Sequence, residues 1–258
     1  MSRTSKNETD KIETIIENFI QELKKGENYK LISAGHKSAN DYECNIYNEI
    51  SFQHELGKYI EDKLSEEGYK VFYEKNIYDT KEEKEEMERK QDDVCVKKEV
   101  DIVIVRNDNE KMEKYAIELK FSKGENARTP ENLFDYIKDI KFMEFVKKEK
   151  EYTNVYNLMI ANSQKYYNHK LNKKILKNKY NIYEMFRKDT GEYYIPKKPN
   201  KIEKYCNPTG SENSPKFILD KTYSGKWEML LEKESNEIFQ YKYILINHNK
   251  CIKNNIDR

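Results

Sequence analysis

Two short apolar segments near the middle of the chain restrict the fold more than any other feature. Their sequences are EVDIVIV at residues 99–105 and KYAIELKF at residues 114–121, and the polar segment RNDNEKME lies between them. Short runs rich in β-branched and aromatic residues, bounded by turn-forming residues, are typical of strands. We therefore predict two strands joined by a short turn and lying side by side in one sheet.

Helices and further strands are predicted on both sides of this pair. Apolar residues recur at helical spacing in residues 9–25, with Thr9 or Asp10 as the cap, and again in residues 49–64. The segment YKVFYEKN at residues 69–76 predicts a strand. After the central pair, Thr129 caps a long helix that begins with Pro130, and the segment VYNLMIANS follows as a strand.

The predicted order over residues 49–163 is therefore helix, three strands, helix and strand, an α/β fold of mixed (α+β) type. Three later segments, KFILDKTY, KWEMLLEK and FQYKYILIN, have β-type sequence, and we predict that they are edge strands of the same sheet.

Composition narrows the class of protein. Charged residues make up 37% of the chain, but 48 basic and 47 acidic residues give a net charge of only +1, so high net charge does not predict disorder. No apolar run is long enough to cross a membrane, the N-terminus lacks a signal-peptide pattern, and the four cysteines have no metal-ligand spacing. We expect a soluble, reduced, cytoplasmic protein with no membrane partner.

Three charged residues interrupt the two central strands. Asp101 is the only charge in residues 100–105, and Glu118 and Lys120 lie within the second strand. Because side chains alternate along a strand, Glu118 and Lys120 share one face, and the apolar residues between them share the other. Charges on a half-buried strand face are costly unless they are paired, hydrated or bound to a metal.

The carboxylates of Asp101 and Glu118 are predicted to lie side by side. Two neighbouring carboxylates repel each other, and a shared proton or a divalent cation relieves the repulsion. Oxygen ligands without histidine or cysteine favour Mg²⁺ or Mn²⁺. Lys120, beside such a cation, could orient and help to deprotonate a water, or could stabilise phosphate charge in a transition state.

An aspartate followed on the next strand by Glu118-Leu119-Lys120 resembles the signature of the PD-(D/E)xK nuclease superfamily. The resemblance implies a restriction-endonuclease-like core of αβββαβ order, with a central mixed sheet flanked by helices. It covers about 115 residues, and Val100 stands where the superfamily's name has proline. The superfamily often adds a glutamate from the first core helix; Glu55 matches that position, and Glu49 is the competing candidate.

The resemblance also implies the activity of a Mg²⁺-dependent endonuclease of restriction or defence type. Such an enzyme cleaves double-stranded DNA and leaves a 5′-phosphate. Asp101 and Glu118 would bind the metal with the Leu119 carbonyl, Glu55 would assist through water, and Lys120 would act on the attacking water. A homodimer is expected on resemblance alone. Two alternatives remain open, a catalytically silent nucleic-acid-binding subunit and a nuclease acting on RNA or single strands.

We predict three parts of the chain: an N-terminal helix with its connection (1–48), a nuclease core (49–163) and a C-terminal part packed on the same domain (164–258). The segment 165–204 is rich in lysine and tyrosine, in an otherwise acidic chain. Lysine neutralises phosphates and tyrosine packs on sugars or bases, so we predict a nucleic-acid groove there. Its predicted contacts are Lys165, Lys170, Lys173, Lys174, Lys177 and Lys179, together with Arg128 before the long helix.

Overall fold

The computed structural model has a six-stranded mixed sheet with helices on both faces and a second, smaller sheet. Among the described residues, no helix combines the length and the apolar character needed to cross a membrane. The described residues are 10–29, 31, 45–78, 80–83, 85, 99–108, 111–122, 129–162, 166, 187–189, 192–195, 197–198, 204–206, 216–234 and 238–252.

Local sequence explains where the first two helices begin and end. Helix α1 (Lys11–Lys25) begins after Asp10, whose carboxylate accepts the Ile12 N–H, and it ends at Gly26, which has the left-handed φ of 68° that favours glycine. Helix α2 (Glu49–Leu64) begins with a reciprocal cap between Asn48 and Ser51. The third helix is α3 (Thr129–Glu149).

The main sheet has six strands, which are β1 (Tyr69–Asn76), β2 (Glu99–Asp108), β3 (Lys111–Ser122), β4 (Asn154–Ala161), β8 (Glu228–Glu234) and β9 (Ile238–Asn247). They lie in the order β1-β2-β3-β4-β9-β8. Strands β3 and β4 are parallel because α3 connects them as a crossover helix, and every other neighbouring pair is antiparallel. The predicted order of helix, three strands, helix and strand is confirmed.

Each face of the main sheet has its own core. On one face, α1 and α2 pack over a cluster that includes Ile102, Ile117 and Leu119. On the other face, α3 packs over clusters that include Ala116 and Met159. Because the sheet is covered on both sides, β4 is buried along its entire length.

The C-terminal strands do not all join the main sheet. Strands β8 and β9 extend it from β4, so their prediction as strands of this sheet is confirmed, but only β8 is at its edge. Residues 222–223, the end of the segment KFILDKTY, belong to a second sheet, so the prediction of a single sheet is wrong for them. The strands of this sheet are β5 (Arg187–Asp189), β6 (Glu192–Ile195), β7 (Thr222–Gly225) and β10 (Cys251–Ile252). They lie in the order β10-β7-β6-β5, and the buried residues Ile195 and Tyr223 share a core with α3.

Glu144 of α3 connects that helix to the second sheet. Its side chain is buried and accepts hydrogen bonds from the backbone N–H of Asp220 at 2.8 Å and from the Tyr223 hydroxyl at 2.9 Å. Lys141 lies 3.2 Å from Glu144 and 2.6 Å from Asp220. The carboxylate thus satisfies buried donors at the start of β7.

Gly225 allows β7 to lie close to β9. A Cβ at this position would lie 2.6 Å from Ile244 Cδ1 and 2.8 Å from Ile246 Cδ1, and both isoleucines are fully buried. We expect Gly225→Ala to lower the free energy of unfolding by about 1–3 kcal/mol through overpacking. Urea denaturation measures it. Gly57→Ala is the control, because the three atoms nearest to its Cβ all belong to the Tyr73 side chain, which is 37% exposed and can move. Equal losses in both variants would contradict the prediction.

Candidate active site

Asp101 lies directly against the Glu118-Leu119-Lys120 segment. Strands β2 and β3 are antiparallel with Ile102 opposite Ile117, so Asp101 is one residue beyond this pair, at the level of Glu118. The Asp101 Oδ2 atom accepts the Leu119 N–H at 2.6 Å. The carboxylate of β2 is therefore held against β3 between the two charged residues of that strand.

Glu118 and Lys120 lie on the α3 face of the sheet. Ile117 and Leu119 belong to the core under α1 and α2, so the alternation of side chains predicted for β3 is confirmed. Glu118 is only 1% exposed, whereas 23% of the Lys120 side chain is exposed. The site thus combines a deeply buried carboxylate with a cation that reaches solvent.

Carboxylates from two helices surround the Lys120 ammonium group. Its Nζ atom lies 3.4 Å from Asp139 Oδ2 on α3 and 3.9 Å from Glu49 Oε1 on α2. Burial by itself lowers the pKa of Lys120, but the charges of Asp139, Glu49, Asp135 and Asp101 together raise it above the ordinary lysine value. Lys120 is therefore a protonated cation at neutral pH.

Glu49 is the helix glutamate that contacts β3. Besides its proximity to Lys120, its Oε2 atom accepts the Phe121 N–H at 2.9 Å. This position at the first turn of α2 also suits a carboxylate, because the helix N-terminus carries partial positive charge.

Glu55, the other candidate, lies next to a different group of side chains. Its Oε1 atom is 3.7 Å from His54 Nδ1. Burial is the main cause of the raised pKa values of Tyr29 and Tyr73, and the charge of Glu55 adds to both. Its neighbours are thus a histidine and two tyrosines, whereas those of Glu49 belong to β3.

Two positioning residues were not identified from the sequence. Gln53 of α2 is buried, and its Nε2 atom donates to the Asp101 carbonyl at 2.6 Å; Asp139 of α3 is buried beside Lys120. Each is a polar residue at the spacing of a buried helical stripe, Gln53 three residues before Leu56 and Asp139 three residues after Tyr136. A search for polar residues on apolar stripes would have found both.

Strand β1 is distorted next to Asp101. Pairing of β1 with β2 joins Tyr73 to Ile102 and Lys75 to Val100, and Glu74 and Asp101 lie between these pairs. Glu74 has a φ of 50°, which is costly for a residue other than glycine. Such strain persists where surrounding structure enforces it, and it is frequent at functional sites.

The donors near Lys120 have the chemistry that Mg²⁺ requires. Within the ranges that the structure describes, no group of three or more His, Cys, Asp or Glu residues is arranged to hold a metal ion. Mg²⁺, however, commonly uses one or two carboxylates and fills its other positions with water and substrate phosphate. Asp101 and Glu118, with the Leu119 carbonyl between Glu118 and Lys120, form a donor set that fits this pattern.

The predicted nucleic-acid contacts fall outside the described residues: Lys165, Lys170, Lys173, Lys174, Lys177, Lys179 and Arg128. Tyr166, in the same basic segment, is a core residue. It is 2% exposed, and its hydroxyl lies 2.5 Å from Ser122 Oγ at the end of β3. Comparison with known proteins finds no matching family model, no matching curated protein and no matching solved structure.

Proposed function

We propose that the chain is a Mg²⁺-dependent endonuclease that hydrolyses phosphodiester bonds of double-stranded DNA. The observation that carries the proposal is the 2.6 Å hydrogen bond from Leu119 N–H to Asp101 Oδ2. It sets an aspartate of one strand against a Glu-x-Lys segment of the next, the arrangement on which the resemblance to the PD-(D/E)xK superfamily rests. A restriction-endonuclease-like fold and a homodimer are parts of the same proposal.

Asp101 and Glu118 would hold the metal, with the Leu119 carbonyl as a further oxygen ligand. A divalent cation there supplies Lewis-acid stabilisation of phosphate charge and lowers the pKa of the attacking water. Glu118 is suited to this role because its carboxylate is buried and lies beside that of Asp101. A cation stabilises such a pair by offsetting both the cost of burial and the repulsion between the two charges.

Lys120 would act as a fixed cation that stabilises the developing charge on the phosphate. The carboxylates of Asp139 and Glu49 lie 3.4 and 3.9 Å from its ammonium group, and a charge that is already in place costs little reorganisation during the reaction. Its proximity to two carboxylates, which favour the protonated ammonium form, favours this role over that of a general base, which must be deprotonated before it can accept a proton.

The proposal is tested by cleavage of supercoiled plasmid, single-stranded DNA and RNA, each with Mg²⁺, Mn²⁺ or EDTA. We expect metal-dependent fragments from the plasmid, no cleavage in EDTA, and 5′-phosphate ends. Faster cleavage of RNA or of single-stranded DNA would mean that this nucleic acid is the substrate, and the proposed metal-dependent hydrolysis would stand. If the folded protein binds DNA and cleaves none of the three substrates with either metal, the catalytic proposal is wrong.

The role of Lys120 is tested by two substitutions. Lys120→Arg keeps the charge, so it should reduce cleavage by only about tenfold, whereas Lys120→Gln should reduce it by about 10²-fold. The cleavage rate of the wild type should not rise with pH across the neutral range through deprotonation of Lys120. A rise in rate with pH that disappears in Lys120→Arg would identify Lys120 as a base instead.

One observation favours a catalytically silent DNA-binding subunit as the second candidate. Asp139 and Glu49 already compensate the charge of Lys120, so the ion cluster can persist as a structural feature without a metal. Salt-dependent DNA binding without turnover would select this alternative.

A further inference from the structure

Asn157 is a fully buried polar residue on the face of the main sheet that carries Glu118 and Lys120. Strand β4 is buried along its entire length, and Asn157 itself is 0% exposed. Its neighbours Tyr156 and Leu158 belong to the core under α1 and α2, so the Asn157 side chain lies on the opposite face, under α3. A buried amide is costly unless its polar atoms have hydrogen-bond partners.

The amide oxygen of Asn157 has its partner in His248, which is also buried. Asn157 Oδ1 lies 2.7 Å from His248 Nε2. Burial, with the nearby charges of Lys147 and Lys221, lowers the pKa of His248 well below the ordinary histidine value, so the ring is neutral at neutral pH. A neutral ring has one N–H and an amide oxygen only accepts, so Nε2 carries the proton and donates to Asn157.

The amide nitrogen of Asn157 is a donor beside Glu118. It is buried, and it has no hydrogen-bond partner among the described residues. Asn157 is paired with Glu118 in the parallel register of β3 and β4, and both side chains lie on the α3 face of the sheet. Because neighbouring strands lie about 4.8 Å apart, the amide and the carboxylate are adjacent. The reverse orientation of the amide would place its oxygen against the carboxylate, where two acceptors repel each other.

Helix α3 covers this pair of residues. The hydroxyl of Tyr136 on α3 donates to the Asn157 carbonyl at 3.2 Å, and Tyr136 and Glu118 are each only 1% exposed. In such a buried environment a hydrogen bond to a carboxylate is stronger than at the surface, and a donor without an acceptor is costly. The position of the donor thus favours a direct role at the Glu118 carboxylate.

We propose that Asn157 is a positioning residue for the metal-binding carboxylate of Glu118. When Glu118 holds the cation, its carboxylate also accepts the Asn157 amide N–H, and His248 keeps the amide in that orientation. The inference rests on the proposed function, since it requires a metal at Glu118. Carboxylate ligands are generally held by such hydrogen bonds, and loss of the donor weakens metal binding by roughly 10- to 100-fold.

Calorimetric titration of the full chain with Mn²⁺, in the absence of DNA, tests the proposal. Asn157→Leu removes both polar atoms and keeps the branched shape of the side chain, so Mn²⁺ binding should weaken by about tenfold. Asn154→Leu is the matched control. Asn154 is an equally buried asparagine of β4, but it lies on the other face of the sheet and donates to Asp10 and Asn247. Urea denaturation should show a loss of stability in both variants, whereas Asn154→Leu should bind Mn²⁺ like the wild type.

Glu118→Gln distinguishes failure of this inference from failure of the proposed function. Lost Mn²⁺ binding in Glu118→Gln, together with wild-type binding in Asn157→Leu, would overturn the role of Asn157 and leave the metal site intact. Wild-type binding in Glu118→Gln would overturn the metal site and this inference with it. Equal weakening in the two asparagine variants would assign the effect to lost packing and would also overturn the inference.

The side-chain amide resonances of Asn157 provide a second readout that requires no substitution in the core. In the wild type, Mg²⁺ should shift the ¹H and ¹⁵N resonances of the Asn157 amide group more than those of the Asn154 amide group. Unchanged Asn157 resonances at saturating Mg²⁺ would exclude the hydrogen bond to a metal-bound Glu118.

Discussion

Asp101→Asn is expected to reduce metal-dependent cleavage by about 10³-fold or more while the protein remains folded. Asparagine keeps the size of the side chain and an oxygen that can still accept the Leu119 N–H. Only the negative charge is lost, and that charge is what would hold a divalent cation. Single-turnover cleavage of the plasmid measures the rate. Urea denaturation tests whether the fold is kept, and the free energy of unfolding should differ from that of the wild type by less than about 1 kcal/mol.

A thermal-unfolding readout separates metal binding from catalysis. Mg²⁺ that binds the native state should raise the melting temperature of the wild type, by an amount that grows with the Mg²⁺ concentration, and should not raise that of Asp101→Asn. If Asp101→Asn cleaves like the wild type, Asp101 is not a metal ligand. If Mg²⁺ stabilises both proteins equally, the metal lies elsewhere.

The two helix glutamates serve as a matched pair for the same assay. Glu49→Gln removes a charge that lies 3.9 Å from Lys120, so we expect a loss of about tenfold. Glu55→Gln, whose neighbours are His54 and two tyrosines, should remain within about twofold of the wild type. The reverse order would place Glu55 in the site.

Local sequence was sufficient for the elements that carry the site. The predicted bounds of α2 and β1, residues 49–64 and 69–76, match the structure, because apolar spacing and terminal residues determine them locally. The alternation in β3 likewise placed Glu118 and Lys120 on one face. The restriction-endonuclease-like fold itself stays a prediction.

Contacts between distant elements could not be predicted in the same way. A helical wheel identifies the buried stripe of α2, but it does not say which end of that helix lies over β3. Glu49 and Phe121 are 72 residues apart in sequence, and only the packing of α2 on the sheet brings them together. The same is true of Asp139 on α3, which lies beside Lys120 because α3 packs against the sheet.

The second sheet was missed for a related reason. A strand pattern predicts an extended segment without naming its partner. Residues 222–225 pair with β6 and β10, and the pattern of these residues alone does not indicate those partners. The side chain that fixes this arrangement is Glu144, whose role depends on donors about 76 residues away.

Glu144→Ala is expected to lower the free energy of unfolding by about 3–5 kcal/mol. The substitution removes the acceptor of the Asp220 N–H and of the Tyr223 hydroxyl, and it leaves Lys141 with only Asp220 as an ion-pair partner. Buried donors without acceptors are costly, and a cavity adds to that cost. Tyr223→Phe, which removes one hydroxyl, should cost only about 1 kcal/mol. Equal losses in the two variants would show that Glu144 is not the organising group.

Glu144 can affect stability through the charge of its carboxylate or through the shape of its side chain. The pH dependence of the free energy of unfolding separates these two effects. Burial raises the pKa of Glu144, against the opposing effects of the Asp220 N–H and Lys141. The native state therefore binds this proton more tightly than the unfolded state, and the contribution of Glu144 to stability falls as pH rises from the ordinary glutamate pKa through the raised one. Glu144→Gln cannot titrate at this position. The free energy of unfolding of the wild type minus that of Glu144→Gln should therefore be larger at acid pH than at neutral pH. Urea denaturation of both proteins across that range measures the difference, and a difference that grows toward neutral pH would mean that the pKa of Glu144 is lowered instead.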